Sequence, residues 1–459
     1  MTRSVDMING GLFKKIVVFT IPIMLQGLLQ SIYNSADLVI VGQFSGDIAL
    51  ASVGATTSIY NVLVGLFMGI SAGVDVVSSF YYGMRDEKSV KKVIDTSVVL
   101  APILGAFVCV IGLIFSGSIL KLMGTPAGGV LEGATTYLKI LMIGVPFSMT
   151  YNFCAAVFRT AGETKKPFIY LMISGVANVV LNLLFCAVFH MGVVGVAVAT
   201  VVSQALSAIL IFVNLVLNKG LFSFSFKHIE FSWHKLGRIV SVGLPAGFQS
   251  AAFSLSNVFL QSGVNSFGDN AIAGSTAVGT VEGLMWVTLT SFQNATTTFI
   301  SQNVGAGKID RARRVLRYTL LMTASLGIVL GLGMFFGKKF LLAIFIKDNP
   351  VAVAFGYERL KYTFPLYFLA GIMGVMPGAI RGHGQSLPPS IISLIGACGL
   401  RIIWVYTVFQ VHHDLATLYL IHPITWTITD IALFTNYFIA LRGSIKKQRA
   451  KARKTENLI

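Results

Sequence analysis

The sequence predicts an all-α integral membrane protein of twelve transmembrane helices, and its composition, apolar run lengths and basic-residue placement each support this class. Of the 459 residues, 55% are hydrophobic and 12% are charged. Soluble domains carry about 25% charged residues, roughly twice this proportion. The apolar runs reach the twenty or so residues with which a helix crosses a bilayer. The chain is therefore expected to be one polytopic membrane protein.

Twelve apolar runs define the predicted spans, and several exceed the length that a bilayer requires. The four cysteines lie inside these runs without metal-binding spacing, so we expect buried thiols and no cofactor. The spans cover residues 13–40, 48–82, 93–116, 134–160, 167–189, 192–217, 239–265, 271–303, 315–337, 352–380, 388–410 and 415–441.

Basic residues are divided unevenly between the two sides of the membrane. The side that holds both termini has 27 of the 35 Lys and Arg residues, and the opposite side has seven. Because cytoplasmic loops carry the excess of basic residues, both termini are predicted to lie in the cytoplasm, with the protein in the cell (inner) membrane. The same loops explain the formal charge of +17, since they face anionic lipid; no nucleic-acid partner is expected.

The chain contains an internal repeat. The motif RTAGETKKP, which begins at Arg159, recurs as RGHGQSLPP from Arg381, an offset of 222 residues. The GMRDEK loop at 83 recurs as GAGKID at 305 with the same offset, and Pro22 recurs as Pro245 at 223. Six spans per repeat make the halves run in the same direction, related by a pseudo-two-fold axis along the membrane normal. The predicted domains are an N-terminal lobe at 1–217, a cytoplasmic linker at 218–238 and a C-terminal lobe at 239–459.

A polar stripe marks one face of the first span. Gln26, Gln30, Tyr33, Asn34 and Asp37 recur at helical spacing among Leu, Ile, Val and Met residues. An ionised Asp in hydrocarbon costs roughly 2.5–3.5 kcal/mol, so intramembrane carboxylates are rarely idle. We interpret Asp37 as a group that alternately holds a cation or a proton. The alternative is a helix-end carboxylate near the outer interface.

Partners for Asp37 are predicted on nearby spans. Asn178 and Asn182 lie at i and i+4 on span five, and Thr200 lies in span six. Amide and hydroxyl oxygens suit a hard cation such as Na⁺, whereas ordinary interhelical hydrogen bonding is the alternative. The second-half counterpart of Asp37 is Leu260, so the polar group is expected in the first half alone.

Further charged residues lie within the predicted spans. Arg401 and Asp430 lie at similar depth and are predicted to form an ion pair. Asp75 is expected to contact the basic loop at 85–92. Glu282 lies in the outer half of span eight and is expected either to attract cations or to form a structural ion pair. We find no P-loop or hydrolase motif in a suitable context, so the protein is expected not to be an enzyme and to draw energy from an ion gradient.

These features resemble the MATE (multidrug and toxic compound extrusion) family, and its bacterial branch most closely. The residues that carry the resemblance are Pro22, Asp37 with the following turn at Gly42, and the RTAGETKKP motif with its repeat. The resemblance covers nearly the whole chain. It implies two six-helix lobes in a V around a central cleft, with an ion driving drug efflux.

The resemblance also implies roles for single residues. Asp37 matches the coupling residue, Asn178 and Thr200 match the first-lobe ion site, where Na⁺ would bind, and Pro22 matches the point at which the first helix bends. Asn182 departs from members that have a second Asp there, so both Na⁺ and H⁺ remain open.

The expected function is therefore a monomeric antiporter that exports organic, cationic and amphipathic small molecules in exchange for Na⁺ or H⁺. A flippase for lipid-linked precursors is the alternative. The substrate cleft is predicted to include Tyr33, Tyr151, Phe253, Glu282 and Trp286.

Overall fold

A computed structural model describes residues 4–346 and 349–456 of the chain, and every regular element in these ranges is a helix. Eleven of the helices are long and apolar enough to cross a membrane. The first is bent at Gly46, whose φ of 80° and ψ of 176° are not helical, and so supplies two spans. The all-α class and the twelve predicted spans are thus confirmed. The helices are α1 (Leu12–Gly83), α2 (Glu87–Leu122), α3 (Gly129–Thr160), α4 (Lys165–Val188), α5 (Gly192–Leu217), α6 (Trp233–Asn265), α7 (Asp269–Gly305), α8 (Ile309–Phe336), the short α9 (Lys338–Phe345), α10 (Pro350–Gly382), α11 (Leu387–Val411) and α12 (Leu415–Glu456).

The helices form two compact units that exchange short segments. Unit 1 contains the described residues up to Asp6 together with Ile21–Gly243, and unit 2 contains Met7–Thr20 together with the residues from Leu244 onward. The helices α1 and α6 therefore each pass from one unit to the other. Pro22 and Pro245 lie within two residues of these crossing points. Since proline removes a backbone N–H donor from a helix, the hydrogen-bond ladder is interrupted at both crossings.

Unit 2 holds its N-terminal segment with cationic side chains from the repeated loop at 305. Arg311 donates hydrogen bonds to the carbonyl oxygens of Met7, Asn9 and Gly10 at 2.8–3.2 Å. Lys308 Nζ lies 2.9 Å from Asn9 Oδ1 and 3.2 Å from the carbonyl of Ile8. These cations therefore fasten the segment that leads into α1.

Unit 1 holds the segment before α6 in a comparable way. The backbone N–H of Glu230 donates to Asp95 Oδ2 at 3.2 Å, and that of Ser232 donates to Thr96 Oγ1 at 3.0 Å. Lys235 Nζ donates to Ser89 Oγ at 2.9 Å. The two copies of the basic loop and its following helix thus anchor the chain where it enters α1 and α6.

Two predictions about intramembrane charges need correction. The carboxylate of Asp75 pairs with Arg159 of the RTAGETKKP motif, at 3.2 Å, a partner that the sequence did not suggest. Asp430 does not pair with Arg401, because neither carboxylate oxygen of Asp430 has a hydrogen-bond partner in the described part of the chain. Arg401 instead donates to Asn257 Oδ1 at 3.3 Å. Similar depth along two spans does not fix the direction in which each side chain points.

The repeated motif offers a matched test of the fold at Gly162 and Gly384. Both have left-handed φ values, 77° and 84°, where an alanine costs about 1–2 kcal/mol. A Cβ atom at Gly162 would lie 2.4 Å from the carbonyl oxygen of Val5, whereas nothing lies within 4 Å at Gly384. Gly162→Ala is therefore expected to lose about 1–3 kcal/mol more stability than Gly384→Ala. Thermal unfolding in detergent measures this difference, and equal losses would contradict the packing of Val5.

The carboxylates Asp75 and Asp430 should respond in opposite ways to neutralisation. Asp75→Asn leaves the guanidinium of Arg159 without its carboxylate, which typically costs about 3–5 kcal/mol. Asp430→Asn removes a buried charge that has no partner among the described residues, so stability should be unchanged or higher. Folded yield and the unfolding temperature of the two variants report the outcome. An equal loss in both would show that Asp430 has a stabilising partner.

Candidate ion and substrate sites

Asp37 lies on the first span of α1 in unit 1, where α4 and α5 contact the helix, and only 7% of its surface is exposed. The amide of Asn182 on α4 donates a hydrogen bond to Asp37 Oδ1. Thr200 Oγ1 on α5 lies 3.4 Å from Asp37 Oδ2. Hydrogen bonds that involve an ionised group are stronger than neutral ones. Three helices therefore meet at one carboxylate.

Asn178 joins this group through Asn182. The Nδ2 atom of Asn182 also donates to Asn178 Oδ1 at 3.3 Å, since residues at i and i+4 share a helix face. Both asparagines are buried. The Oδ1 atom of Asn182 has no hydrogen-bond donor within the residues that the structure describes. The structure thus brings Asp37, Asn178, Asn182 and Thr200 together and leaves an amide oxygen there without a donor.

The hydroxyl of Thr200 cannot donate a hydrogen bond to both of the oxygen atoms that lie beside it. It lies 2.9 Å from the carbonyl oxygen of Val196 and 3.4 Å from Asp37 Oδ2, and it has a single hydrogen atom. The hydrogen can therefore lie on only one of these contacts at a time, and when Val196 accepts it an oxygen lone pair of Thr200 faces the carboxylate. Within the described ranges, no Lys or Arg forms a salt bridge with Asp37. A proton or a cation between the two oxygens would complete the arrangement.

Three polar residues near Asp37 were not named from the sequence. Tyr60 and Tyr137 lie within electrostatic range of its carboxylate. Gln204, one turn after Thr200, donates a hydrogen bond to the Tyr60 hydroxyl at 2.7 Å. The i, i+4 spacing of Thr200 and Gln204 is the signal that could have identified Gln204. No comparable sequence signal marks the tyrosines, which lie on other helix segments.

The remaining stripe residues do not join Asp37. Gln30 and Asn34 are exposed, Gln26 is half-buried, and the Tyr33 hydroxyl lies 3.5 Å from the carbonyl oxygen of Met172. Gln30 lies seven residues before Asp37, about 10 Å away along the helix axis at 1.5 Å per residue. Gln30 and Asn34 are therefore not part of the group around the carboxylate. They form an exposed polar face on the same helix.

Tyr151 does not line an accessible surface. It is buried in the apolar core of unit 1, and its hydroxyl donates to the carbonyl oxygen of Pro167 at 2.9 Å. Its proposed place in a substrate cleft is therefore corrected to a structural one. Aromatic character alone did not distinguish a core tyrosine from a binding residue.

Glu282 is not a free carboxylate. Arg359 donates to it from Nε at 3.2 Å and from Nη2 at 2.5 Å, and the Thr363 hydroxyl donates at 3.1 Å. The Tyr367 hydroxyl also donates to the backbone carbonyl of Glu282 at 3.0 Å. The ion pair balances the negative charge, which removes the basis for attraction of cations by Glu282. The structural alternative considered for this residue is the one that the geometry favours.

Phe253 and Trp286 form an aromatic pair in unit 2. Their ring centroids lie 5.9 Å apart, and both side chains are partly exposed. The guanidinium of Arg401 lies 5.9 Å from the Phe253 ring centroid. These two residues therefore remain accessible aromatic groups, now with a cation beside them.

Unit 2 has an apolar cluster where unit 1 has its polar group. Leu260, the counterpart of Asp37, is buried with Phe409 and Leu418, and Trp404, the counterpart of Asn182, packs against the same cluster. The duplication thus retains the helix framework and loses the carboxylate.

The chain matches the family model described as MatE over residues 22–184 and again over 245–407. It is similar to "Probable multidrug resistance protein YpnP" of Bacillus subtilis, with 30% identity over 87% of this chain and 89% of the relative. It is also similar to "Probable multidrug resistance protein NorM" of Thermotoga maritima, with 26% identity over 85% and 84% of the two chains.

Solved structures share the fold. The structure titled "Crystal structure of MATE in the bent conformation" matches with a TM-score of 0.88 and 20% identity over 98% of this chain and 100% of that one. The structure titled "Outward-facing conformation of a multidrug resistance MATE family transporter of the MOP superfamily" matches with a TM-score of 0.86 and 21% identity over 99% of both chains. The family model covers well over half of the sequence as two copies, and the chain therefore belongs to the MatE family, whose MATE members its sequence motifs resemble.

Proposed function

We propose that this chain is a secondary active antiporter that exports organic, cationic and amphipathic compounds in exchange for Na⁺ or H⁺. Membership of the MatE family supports export, as do relatives named for multidrug resistance, including "Multidrug export protein MepA" of Staphylococcus aureus. These names describe transport proteins, not enzymes. The observation that supports ion coupling is the buried carboxylate of Asp37, which lies against Asn182 and Thr200 and forms no salt bridge with a Lys or Arg among the described residues.

The geometry suits a small hard cation. Such a cation, with metal–oxygen distances of about 2.4 Å, holds two ligand oxygens at right angles about 3.4 Å apart. Asp37 Oδ2 and Thr200 Oγ1 are separated by 3.4 Å. Asn178 and Asn182 place further amide oxygens nearby, and oxygen ligands are those that hard cations prefer. Na⁺ would therefore balance the buried carboxylate charge.

A proton would serve the same pair. A protonated Asp37 Oδ2 would donate to a lone pair of Thr200 while the Thr200 hydroxyl donates to the carbonyl oxygen of Val196. Either ion removes the cost of burying an unbalanced carboxylate, which is large in apolar surroundings. The proposal therefore leaves the choice between Na⁺ and H⁺ to experiment.

Coupling between ion binding and conformational change follows from the effect of the ion on the packing of α1 against α4 and α5. With the ion bound, Asp37 on α1 is neutral and can stay packed against α4 and α5; without it, the carboxylate favours a hydrated arrangement. Because an ion can shift an equilibrium only through its different affinity for two states, this difference would drive the change of α1. Pro22, where α1 passes from unit 2 to unit 1, is the proposed hinge.

The substrate contacts in this proposal are the accessible aromatic groups Tyr33, Phe253 and Trp286. Apolar and aromatic linings are typical of drug-sized ligand sites. The protein acts as a monomer in the cell membrane, with lipid around its exposed apolar helices and with no cofactor. The flippase alternative is not favoured, because the matched relatives are named for drug resistance and export.

The first test of the proposal is Asp37→Asn. The amide neither titrates nor balances a cation, so gradient-driven efflux by purified protein in liposomes should be abolished. Substrate binding should stay within about one order of magnitude, a difference of roughly 1.4 kcal/mol. Sodium and pH gradients imposed separately on the wild-type protein identify the coupling ion.

The matched control is Asp47→Asn, which neutralises an exposed carboxylate ten residues further along the same helix. This variant should retain wild-type efflux. Full efflux by Asp37→Asn at normal reconstitution and with an intact gradient would refute the coupling mechanism. Loss of efflux in both variants would assign the effect to net charge and not to the site.

The proposed topology has its own test. The excess of Lys and Arg on one side predicts that both termini are cytoplasmic. A reporter fused after Leu441, active in one compartment only, should report the cytoplasm. A periplasmic signal would reverse the assignment of every loop.

A further inference from the structure

Arg401 is a buried cation in unit 2 with few partners. It lies on α11 directly after a π-helical turn at Leu394–Gly399, and 4% of its surface is exposed. Its Nη1 atom donates to Asn257 Oδ1 at 3.3 Å, and its Nε atom has no hydrogen-bond partner within the described residues. A guanidinium has five N–H donors and remains charged in proteins. This group is therefore poorly satisfied by the surrounding protein.

The charges around Arg401 do not balance. Glu282 acts on it electrostatically, but that carboxylate already accepts two hydrogen bonds from Arg359 and one from Thr363. Asp430, the partner expected from the sequence, does not contact it. Two guanidinium groups thus share one carboxylate. The local surplus is one positive charge in apolar surroundings, where an unpaired charge is costly.

A second buried group beside Arg401 also lacks partners. His422 on α12 is within electrostatic range of Arg401, and neither of its ring nitrogens has a partner in the part of the chain that the structure describes. A neutral imidazole carries one N–H donor. At the matching position of the first half, an offset of 222, the residue is Thr200 of the proposed ion site. A threonine of the proposed ion site in unit 1 is therefore replaced by a buried histidine in unit 2.

The side chains next to Arg401 are more exposed than Arg401 itself. Asn257 is exposed, and Phe253, one turn earlier on α6, is partly exposed together with Trp286. The guanidinium lies 5.9 Å from the Phe253 ring centroid, and that ring lies 5.9 Å from Trp286. A ligand that reaches Asn257 would meet two aromatic faces and a cation together.

We propose that Arg401 is the binding site for the carboxylate group of an aromatic zwitterionic substrate. The planar fork of arginine fits a carboxylate through two parallel hydrogen bonds, and Phe253 and Trp286 supply the surface for the substrate ring. This inference rests on the proposed export function and specifies its substrate chemistry. Cationic compounds without a carboxylate would use the aromatic pair and not Arg401.

The experiment compares a fluoroquinolone acid with its methyl ester. Norfloxacin and norfloxacin methyl ester differ in the carboxylate, so the ratio of their dissociation constants isolates the proposed contact. Equilibrium binding is measured on purified full-length protein in detergent at neutral pH, with ethidium as a ligand without a carboxylate. The wild-type protein should prefer the acid about tenfold, roughly 1.4 kcal/mol. Equal affinity for acid and ester would overturn the proposal.

Two variants assign the preference to the guanidinium. Arg401→Gln should abolish the preference for the acid and leave ethidium binding within about twofold. Asn257→Asp places a carboxylate where Asn257 Oδ1 already accepts from Arg401, so it should occupy the guanidinium and abolish the preference without removing the cation. Retention of the preference in Asn257→Asp would overturn the proposal even if Arg401→Gln does not fold.

The control is Asn34→Asp, which introduces the same carboxylate at the exposed counterpart in unit 1, 223 residues earlier. It should keep the wild-type ratio, and a loss as large as in Asn257→Asp would overturn the assignment. These measurements use no ion gradient. Failure of the acid preference therefore leaves the Asp37 transport test unaffected, and failure of transport leaves the binding ratio measurable.

Discussion

The cost of burying charge among apolar helices governs the arrangement of both units. Asp75 is balanced by Arg159 and Glu282 by Arg359, each through a direct ion pair. Asp37 has amide and hydroxyl groups instead of a cation. The first two carboxylates are thereby fixed as parts of the scaffold, because breaking either pair strands a charge. In the mechanism that we propose, the charge of Asp37 is balanced instead by an ion that binds and leaves.

Duplication of a six-span unit supplies two copies of the same framework, and the side chains at equivalent positions differ in charge. Tyr60 and Tyr137, near Asp37 in unit 1, correspond at an offset of 222 to Glu282 and Arg359 in unit 2. The ion pair therefore occupies the place of two neutral hydroxyl groups. The same helix arrangement thus holds a carboxylate without a salt bridge among the described residues in unit 1 and a guanidinium without one in unit 2.

Much of the fold could be predicted from the sequence because it depends on periodic signals. The repeated motifs at Arg159 and Arg381 reveal the duplication, and the apolar runs reveal the spans. The asparagines and Thr200 could be grouped with Asp37, since helical spacing defines a face and the family resemblance supplied their common site. The pairing of Arg401 with Asp430 failed because depth in a span does not give rotation about the helix axis. The placement of Tyr151 in a substrate cleft was wrong because a buried and an accessible tyrosine have the same sequence signature.

The fastening of the N-terminal segment into unit 2 has a consequence for biosynthesis. Met7 contacts Asn303, which lies 296 residues further along the chain, and Arg311 is later still. At about 5–20 residues per second, the ribosome needs roughly 15–60 s to reach these partners after the segment has been made. During that interval the backbone carbonyls of the segment need hydrogen bonds from water. Leaving these carbonyls without water costs free energy inside lipid, so the segment stays in the aqueous phase. The first helix therefore enters the bilayer before the segment that precedes it has bonded to unit 2. Its final position is reached only after α8 has begun to leave the ribosome.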